Sequence, residues 1–346
     1  MLSKSTNTTL EAIAETLLSR DGFVICGHIH PDGDCVGSAL GLALALKGIG
    51  KRAVPLIASG ESLDRTLQFL PGAQDAVPAQ QFDESSIDGD DVFIGVDVPA
   101  PDRLGKTALG IKERCGLSIT IDHHESRSGY TDLNYTEPDS ASTTMIIWKL
   151  CKLLGYDDGN ALMPDLATCL LTGLITDTNR FTNQNSDVRA FEAATQLTAA
   201  GADASRIAAE LFQHRTMAAL KMDACTVRNS EIGEGDDGFN YVLSFITRRE
   251  IQEASATYDD MDGCIDVLRS LDGIDVACIL KEGDGVVRGS FRAKGNADVA
   301  ALAAELGGGG HKAAAGFTVE GDIEHALSVV RTVLDGASPF DAAEQS

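Results

Sequence analysis

The chain has 346 residues, enough for two domains, and its 28 Lys+Arg against 52 Asp+Glu leave a net charge of −24. That surplus opposes long nucleic acid, which is held largely by cations that neutralise its phosphates, so any nucleotide ligand is expected to be short and seated in a local pocket. Apolar (43%) and charged (23%) contents near globular averages exclude a disordered or fibrous chain.

The N-terminal stretch MLSKSTNTTLEAIAET has no apolar core, so no signal peptide is expected. Gly22–Gly27 (GFVICG) reads as a buried strand, followed by a loop and a helix through Ser38–Lys47. The apolar stretch Ser38–Gly50 is too short and Gly-rich to span a bilayer, so no membrane partner is expected. Arg52–Ala58, Asp91–Asp97 and Leu117–Asp122 are further strands; their near-continuous apolar runs suit a parallel sheet with helices on both faces. Helical patterns follow at Ala141–Leu154, Asp165–Thr176 and Asp187–Ala200. This β-α alternation predicts a doubly wound, mostly parallel α/β domain over residues 1–200.

Residues 201–230 read as a helical connector, with Ile207, Leu211 and Leu220 available for one buried stripe. Beyond it FNYVLSFI, VACIL and VVRGSFRAK are strands and Ile323–Leu334 a closing helix, a smaller α+β domain over 231–336. Residues 337–346 read as a loose tail. The eight cysteines form no CxxC pair and mostly lie in apolar runs, as expected of reduced, buried thiols in a cytoplasmic protein.

Polar residues gather at the carboxyl ends of the predicted strands, where open α/β sheets place ligands. His28, Asp32 and Asp34 follow the first strand, Asp97 ends the third, Asp122, His123 and His124 end the fourth, and Asp177 closes a helical pattern. If Asp32, Asp34, Asp97 and Asp177 converge, four negative charges share one partly dehydrated cleft. That requires cations or proton uptake. Two divalent ions would compensate, with His28 and His123 as nitrogen donors. A site of carboxylates and imidazoles without thiolate suits Mn²⁺, Mg²⁺ or a similar ion such as Co²⁺. Pro31 and Gly33 suggest a tight turn that aims Asp32 and Asp34 apart. The bland alternative is an α/β protein whose acids are merely solvated loops.

At these residues the sequence resembles the DHH phosphoesterase superfamily. The motifs are GHIHPDGDCVGS (Gly27–Ser38), GVDVPAPDRLG (Gly95–Gly105), IDHH (Ile121–His124) and LLTGLITDTNRF (Leu170–Phe181), with GGGGH at Gly307–His311 before KAAAGF. The combination is similar to the nanoRNase/pAp phosphatase group and its cyclic-dinucleotide phosphodiesterase relatives. The resemblance implies one metal on His28, Asp32 and Asp97, and a second on Asp34, Asp97, His123 and Asp177. Asp97 bridges them, Asp122 supports from behind, and His124 faces the substrate phosphate, the three together forming the catalytic set. Arg103, Arg292, Gly309, Gly310 and His311 are the candidate substrate-binding residues, reached across a cleft between the domains.

The implied activity is hydrolysis of short oligoribonucleotides or of 3′-phosphoadenosine 5′-phosphate (pAp). A cyclic-dinucleotide phosphodiesterase is the enzymatic alternative. A nucleotide-binding module without catalysis is the alternative of another class, though all six ligand positions are filled. A homodimer is implied by the resemblance alone. Asn179 departs from the family pattern, where Gly commonly follows TDT, and His30 reads as a solvated loop residue.

Overall fold

The computed structural model describes residues 5–58, 60, 62–124, 129–156, 160–236, 238–336 and 339, without the side chain of His311. The predicted tail lies outside the described residues except for Pro339. Contacts divide the chain into two units, Met1–His214 and Arg215–Ser346.

The first unit runs α1 (Leu10–Ser19), β1 (Gly22–Cys26), α2 (Gly33–Gly48), β2 (Arg52–Ile57), β3 (Val77–Pro78), β4 (Val92–Val96) and α3 (Gly105–Arg114). It continues with β5 (Leu117–Asp122), β6 (Leu133–Thr136), α4 (Thr143–Leu153), α5 (Met163–Asp177), α6 (Val188–Ala199) and α7 (Ala204–Phe212). The strands form one sheet in the order β3-β2-β1-β4-β5-β6, every pairing parallel. The continuous apolar runs have a simple cause. In β1, Phe23 and Ile25 pack towards α1, α2, α4 and α5, while Val24 and Cys26 pack beside Ala108 and Ile111 of α3. Both faces are covered, so neither can be polar.

Strand order reverses between β1 and β4, the place where open α/β sheets open a crevice beyond their strand ends. Register brings Cys26 level with Gly95, and Val96 level with Ile121. The residues that follow β1, β4 and β5 therefore emerge on one edge.

α2 begins at Gly33 rather than near Ser38. Asp32 caps it, its Oδ1 accepting from the N–H groups of Asp34 and Cys35, both at 3.0 Å. The turn expected at Pro31–Asp34 is thus a helix start, and it leaves Asp34 in the first helical turn. Along α2, Gly33, Gly37 and Gly41 face α5: a Cβ on each would meet Thr176 Oγ1 at 2.4 Å, the Cys169 carbonyl oxygen at 2.4 Å and Leu170 Cδ2 at 2.8 Å. These glycines let the two helices pack at nearly backbone distance.

The predicted connector is two helices, α7 and α8 (Met217–Arg228), capped by Asp203 and Thr216. The single stripe expected for it does not form: Ile207 is buried but Leu220 is 47% exposed, and α8 buries Ala219, Met222, Cys225 and Thr226 instead.

The second unit continues with β7 (Glu231–Glu234), β8 (Asn240–Ile246), α9 (Arg248–Ala254), α10 (Cys264–Arg269), β9 (Val276–Glu282) and β10 (Val286–Ala293). α11 (Val299–Glu305), β11 (Gly309–His311), β12 (Ala314–Glu320) and α12 (Ile323–Gly336) complete it. Its sheet is mixed, ordered β11-β12-β10-β9-β8-β7, with β8 and β9 parallel and the other pairs antiparallel. Val276, Cys278 and Leu280 of β9 face the core under α11 and α12, and Ala277 and Ile279 face α8 and α10. All eight cysteines are unpaired, and seven are buried.

No helix among the described residues is long and apolar enough to cross a membrane.

Candidate active site

Beyond the ends of β1, β4 and β5, the four aspartates and two histidines singled out from the sequence meet in one place. His28 Nε2 lies 3.8 Å from Asp32 Oδ2 and 3.5 Å from Asp97 Oδ2. His123 Nε2 lies 3.9 Å from Asp34 Oδ2, 3.6 Å from Asp97 Oδ1 and 3.7 Å from Asp177 Oδ2. The two oxygens of Asp97 thus face two different imidazoles.

Each imidazole is turned by a carbonyl behind it. His28 Nδ1 is 2.9 Å from the Ile29 carbonyl oxygen and His123 Nδ1 is 3.1 Å from that of Ser140. A carbonyl only accepts, so Nδ1 carries the hydrogen and, in the neutral ring, Nε2 offers its lone pair to the acids. His123 Nε2 is buried and has no hydrogen-bond partner among the described residues. A lone pair surrounded by carboxylate oxygens at 3.6–3.9 Å, too far for hydrogen bonds, is the arrangement of ligands around a cation.

Electrostatics agree. Asp34 is fully buried. Burial pushes its carboxyl well above the usual range, and the charges of Asp97 and Asp177 push it further. Asp177 is raised to about 6, first by burial and then by Asp97 and Asp32, with His123 opposing. Asp97 goes the other way: burial works to raise it, but the hydrogen bond from His28 and the charges of His123 and His124 bring it to about 2. His28 rises to about 9, where its bond to Asp97 and the charges of Asp32 and Asp97 outweigh burial. Without cations, then, the cluster neutralises itself by taking up protons. The residues present fit a divalent cation, and three donor groups each lie close enough together to hold one: His28, Asp32 and Asp97; Asp34, His123 and Asp177; Asp97, His123 and His124.

Asp122 stands behind this shell. Its Oδ1 accepts from the N–H groups of His123 (2.8 Å) and His124 (3.1 Å) and from His124 Nδ1 (2.9 Å). That fixes the His123–His124 turn. Asp97 holds a left-handed φ of 59° at the end of β4, anchored by its N–H on the Ile121 carbonyl oxygen at 3.0 Å. Such a conformation costs about 1 kcal/mol and persists only where its surroundings impose it.

Sequence reasoning overlooked several supporting residues. The N-terminus of α4 grips the acids: Thr143 and Thr144 donate backbone N–H groups to Asp34 at 2.7 and 2.9 Å, and Thr143 Oγ1 donates to Asp97 Oδ1 at 3.0 Å. The Ser-Thr-Thr run at the start of a helical pattern was the available signal, since free N–H groups at helix starts favour anions. Asn185 Nδ2 donates to the Ala141 carbonyl oxygen at 3.0 Å and approaches the Asp177 carbonyl oxygen (3.4 Å) and Oδ2 (3.5 Å). Asn179, Arg180 and Phe181 all take left-handed φ values, of 46°, 62° and 60°. The chain therefore accommodates Asn179 where the family pattern has glycine.

The candidate substrate residues fall differently. Arg103 is exposed on the turn after β4, and its carbonyl oxygen accepts from Ile29 N–H at 2.7 Å. His30 is exposed with φ 56°. Arg292 lies in β10 of the second unit, half-buried and without an ion pair among the described residues. The glycines before His311 have separate reasons. Gly307 needs its φ of 73°. A Cβ on Gly308 or Gly310 would strike the Gly316 or Ala314 carbonyl oxygen at 2.2 or 2.5 Å, whereas nothing lies within 4 Å of one on Gly309. Two of the four glycines close the β11–β12 hairpin, and Gly309 borders open space. The His311 side chain lies outside the described structure.

Comparison with known proteins identifies two domains. Residues 22–174 match the model of the DHH family, N-terminal domain, and residues 238–336 match that of the DHHA1 domain. The chain carries the DHH and DHHA1 domains. A DHH relative from Thermus thermophilus, the bifunctional oligoribonuclease and PAP phosphatase NrnA, is 28% identical over 335 residues, 95% of each chain. The cyclic-di-AMP phosphodiesterase GdpP of Geobacillus thermodenitrificans is 27% identical over 312 residues, but that alignment covers 87% of this chain and only 45% of the longer GdpP. The same fold is seen in the crystal structure of an exopolyphosphatase-related protein from Bacteroides fragilis, with a TM-score of 0.87 at 24% identity, covering 94% of this chain and 95% of that one.

Proposed function

We propose that this DHH hydrolase cleaves short oligoribonucleotides and pAp, using two divalent cations, manganese foremost. One observation carries the reading: the buried His123 Nε2, without a hydrogen-bond partner among the described residues, faces three carboxylates, two of which burial and neighbouring charge push above the usual carboxylate range. The full-length similarity to NrnA supports the choice of substrate, and the acidic exterior suits a short ligand.

In this reading His28, Asp32 and Asp97 hold one cation, and Asp34, Asp97, His123 and Asp177 the other. Bound there, the cations supply Lewis acidity, which neutralises phosphate charge and makes water a stronger acid. The protein's own part is positional. Thr143, Thr144 and Asn185 hold the acids apart. Asp122 clamps His124 by its Nδ1–H, leaving His124 to meet the substrate phosphate as a hydrogen-bond donor. Arg103, Arg292, Gly309, Gly310 and His311 are assigned to the remaining phosphate and sugar oxygens; a guanidinium fork matches phosphate geometry. Eight unpaired thiols suit a reducing cytoplasm.

A hydrolysis screen with manganese on pAp, RNA of two to five nucleotides and cyclic di-AMP tests the proposal. Turnover of pAp and the short RNAs is expected. Turnover of cyclic di-AMP alone, or of none, overturns it.

A further inference from the structure

A helix commonly ends through one left-handed residue, usually glycine. After α5 three follow in succession: Asn179, Arg180 and Phe181, with φ values of 46°, 62° and 60°. Among the described residues this is the longest left-handed run, and it contains no glycine. Such backbone is unfavourable for every side chain but glycine, so a run of three does not persist unaided. Part of its support is local. Arg180 N–H donates to the Ile175 carbonyl oxygen at 2.7 Å, and Phe181 N–H to Thr178 Oγ1 at 3.1 Å. The N–H groups of Thr182 and Asn183 donate to the Thr178 carbonyl oxygen at 3.0 and 3.1 Å.

The rest comes from two neighbouring helices. The ring of Phe181 stacks on that of Phe191 in α6, with centroids 5.0 Å apart and planes 24° from parallel. The Arg180 guanidinium lies over the ring of Phe212, the last residue of α7, 4.9 Å from its centroid. Phe191 is 52% exposed, so burial in the core does not account for it. Its ring serves the turn. The turn in its place brings the chain back onto Asp177. Asn183 Nδ2 donates to the Asp177 carbonyl oxygen at 3.2 Å, and Asn185 Nδ2 approaches that oxygen and Asp177 Oδ2 at 3.4 and 3.5 Å.

We infer that Phe191 and Phe212 are positioning residues for Asp177. Through Phe181 and Arg180 they hold the left-handed turn closed, and the closed turn returns Asn183 and Asn185 to Asp177 and keeps its carboxylate opposite His123. Neither ring can ligate a cation, so both act only through the backbone between them. The inference rests on the assignment of Asp177 to a cation. Where the turn opens, fewer molecules are competent to bind, and the apparent Kd rises by the inverse of the competent fraction.

The test uses the full chain and two readouts, both taken well below the melting temperature. Isothermal titration with manganese compares wild type, Phe191→Ala, Phe212→Leu and, as a control for loss of surface apolar area, Leu153→Ala on α4. Each phenylalanine variant is expected to bind manganese about tenfold more weakly, the size of an outer-shell loss. Leu153→Ala should bind as wild type does. Hydrogen exchange of the metal-free proteins should quicken at the amides of residues 180–183 in both phenylalanine variants and stay unchanged there in Leu153→Ala. Adding Asn179→Gly to Phe212→Leu separates positioning from packing: glycine meets the left-handed φ without penalty, so affinity should partly recover. A wild-type Kd in both phenylalanine variants, an equal loss in Leu153→Ala, or no recovery with Asn179→Gly overturns the inference. If wild type itself binds no manganese, the cation assignment falls and exchange alone decides the clamp: quickened amides in both variants uphold it, and unchanged ones overturn it.

Discussion

Replacing Asp97 by Asn asks the most of the two-cation reading. Asp97 directs one oxygen towards His28 and the other towards His123, at 3.5 and 3.6 Å. It is the one acid common to both halves of the cluster. Asn is nearly isosteric and tolerates the left-handed φ of 59° found there. The backbone bond to Ile121 is untouched, and Thr143 Oγ1 can still donate to the Asn carbonyl. In the metal-free protein two effects oppose: favourable pairing with His28 and His123 is lost, and repulsion from Asp32 and Asp34 is relieved. Its melting point should stay near that of wild type.

The response to metal should not. A cation at about a thousand times its Kd stabilises the folded state by about 4 kcal/mol. For a unit spanning Met1–His214 that is roughly 8–16 °C of melting temperature. A hundredfold weaker site forfeits about 2.7 kcal/mol of it, leaving a shift of roughly 3–6 °C. The assay is differential scanning calorimetry of dialysed wild type and Asp97→Asn with and without manganese, alongside turnover of pAp. A full melting shift and full turnover in Asp97→Asn would refute the argument.

Three further outcomes follow from the same geometry. In metal-free protein Asp177 and His28 sit at about 6 and about 9, both above their ordinary values of 3.8 and 6.5, so the folded state holds extra protons. That support is complete below the ordinary values and is lost as pH rises through 6 and then 9, so manganese should stabilise more at pH 8.5 than at pH 5.5; a pH-independent shift in thermal melts contradicts this. Asn185→Ala, which releases Asp177 from its amide, should weaken cation binding by about 10- to 100-fold in isothermal titration, and an unaltered Kd would exclude a positioning role. A Cβ at residue 173 would lie 2.4 Å from Thr144 Cγ2 and 2.8 Å from Asp34 Oδ1; Gly173→Ala should therefore cost about 1–3 kcal/mol in urea unfolding and reduce metal affinity, and a silent variant would show that the contact yields freely.

Most of the cluster was legible in the sequence because His28, Asp97, His123 and His124 follow closely on short buried strands, and a residue just past a parallel strand has few places to go. Parallel strands packed on both faces also give unbroken apolar runs, which is why β1, β4 and β5 stand out. Asn185 and Thr143 were invisible for the opposite reason: each acts across more than forty residues or on a ligand already found, and neither carries charge. The start of α2 was misplaced because Asp32 was read only as a ligand, when its other oxygen caps the helix. Gly309 and Gly310, in a run of four glycines, read as substrate-binding residues. Their neighbours show that Gly308 and Gly310 answer to hairpin closure, information that resides in Gly316 and Ala314 and not in the motif.

The glycines of α2 also set a distance that no ligand controls. Asp34 rides on the first turn of α2 and Asp177 on the last turn of α5, and the two helices lie antiparallel along the row Gly33, Gly37 and Gly41. The gap between those two acids is thus machined by the seam below them. A methyl inserted there would press the two helices apart and is expected to widen that gap. Variation in cation preference among proteins built this way should accordingly be sought in small apolar exchanges along that seam as well as in the acids themselves.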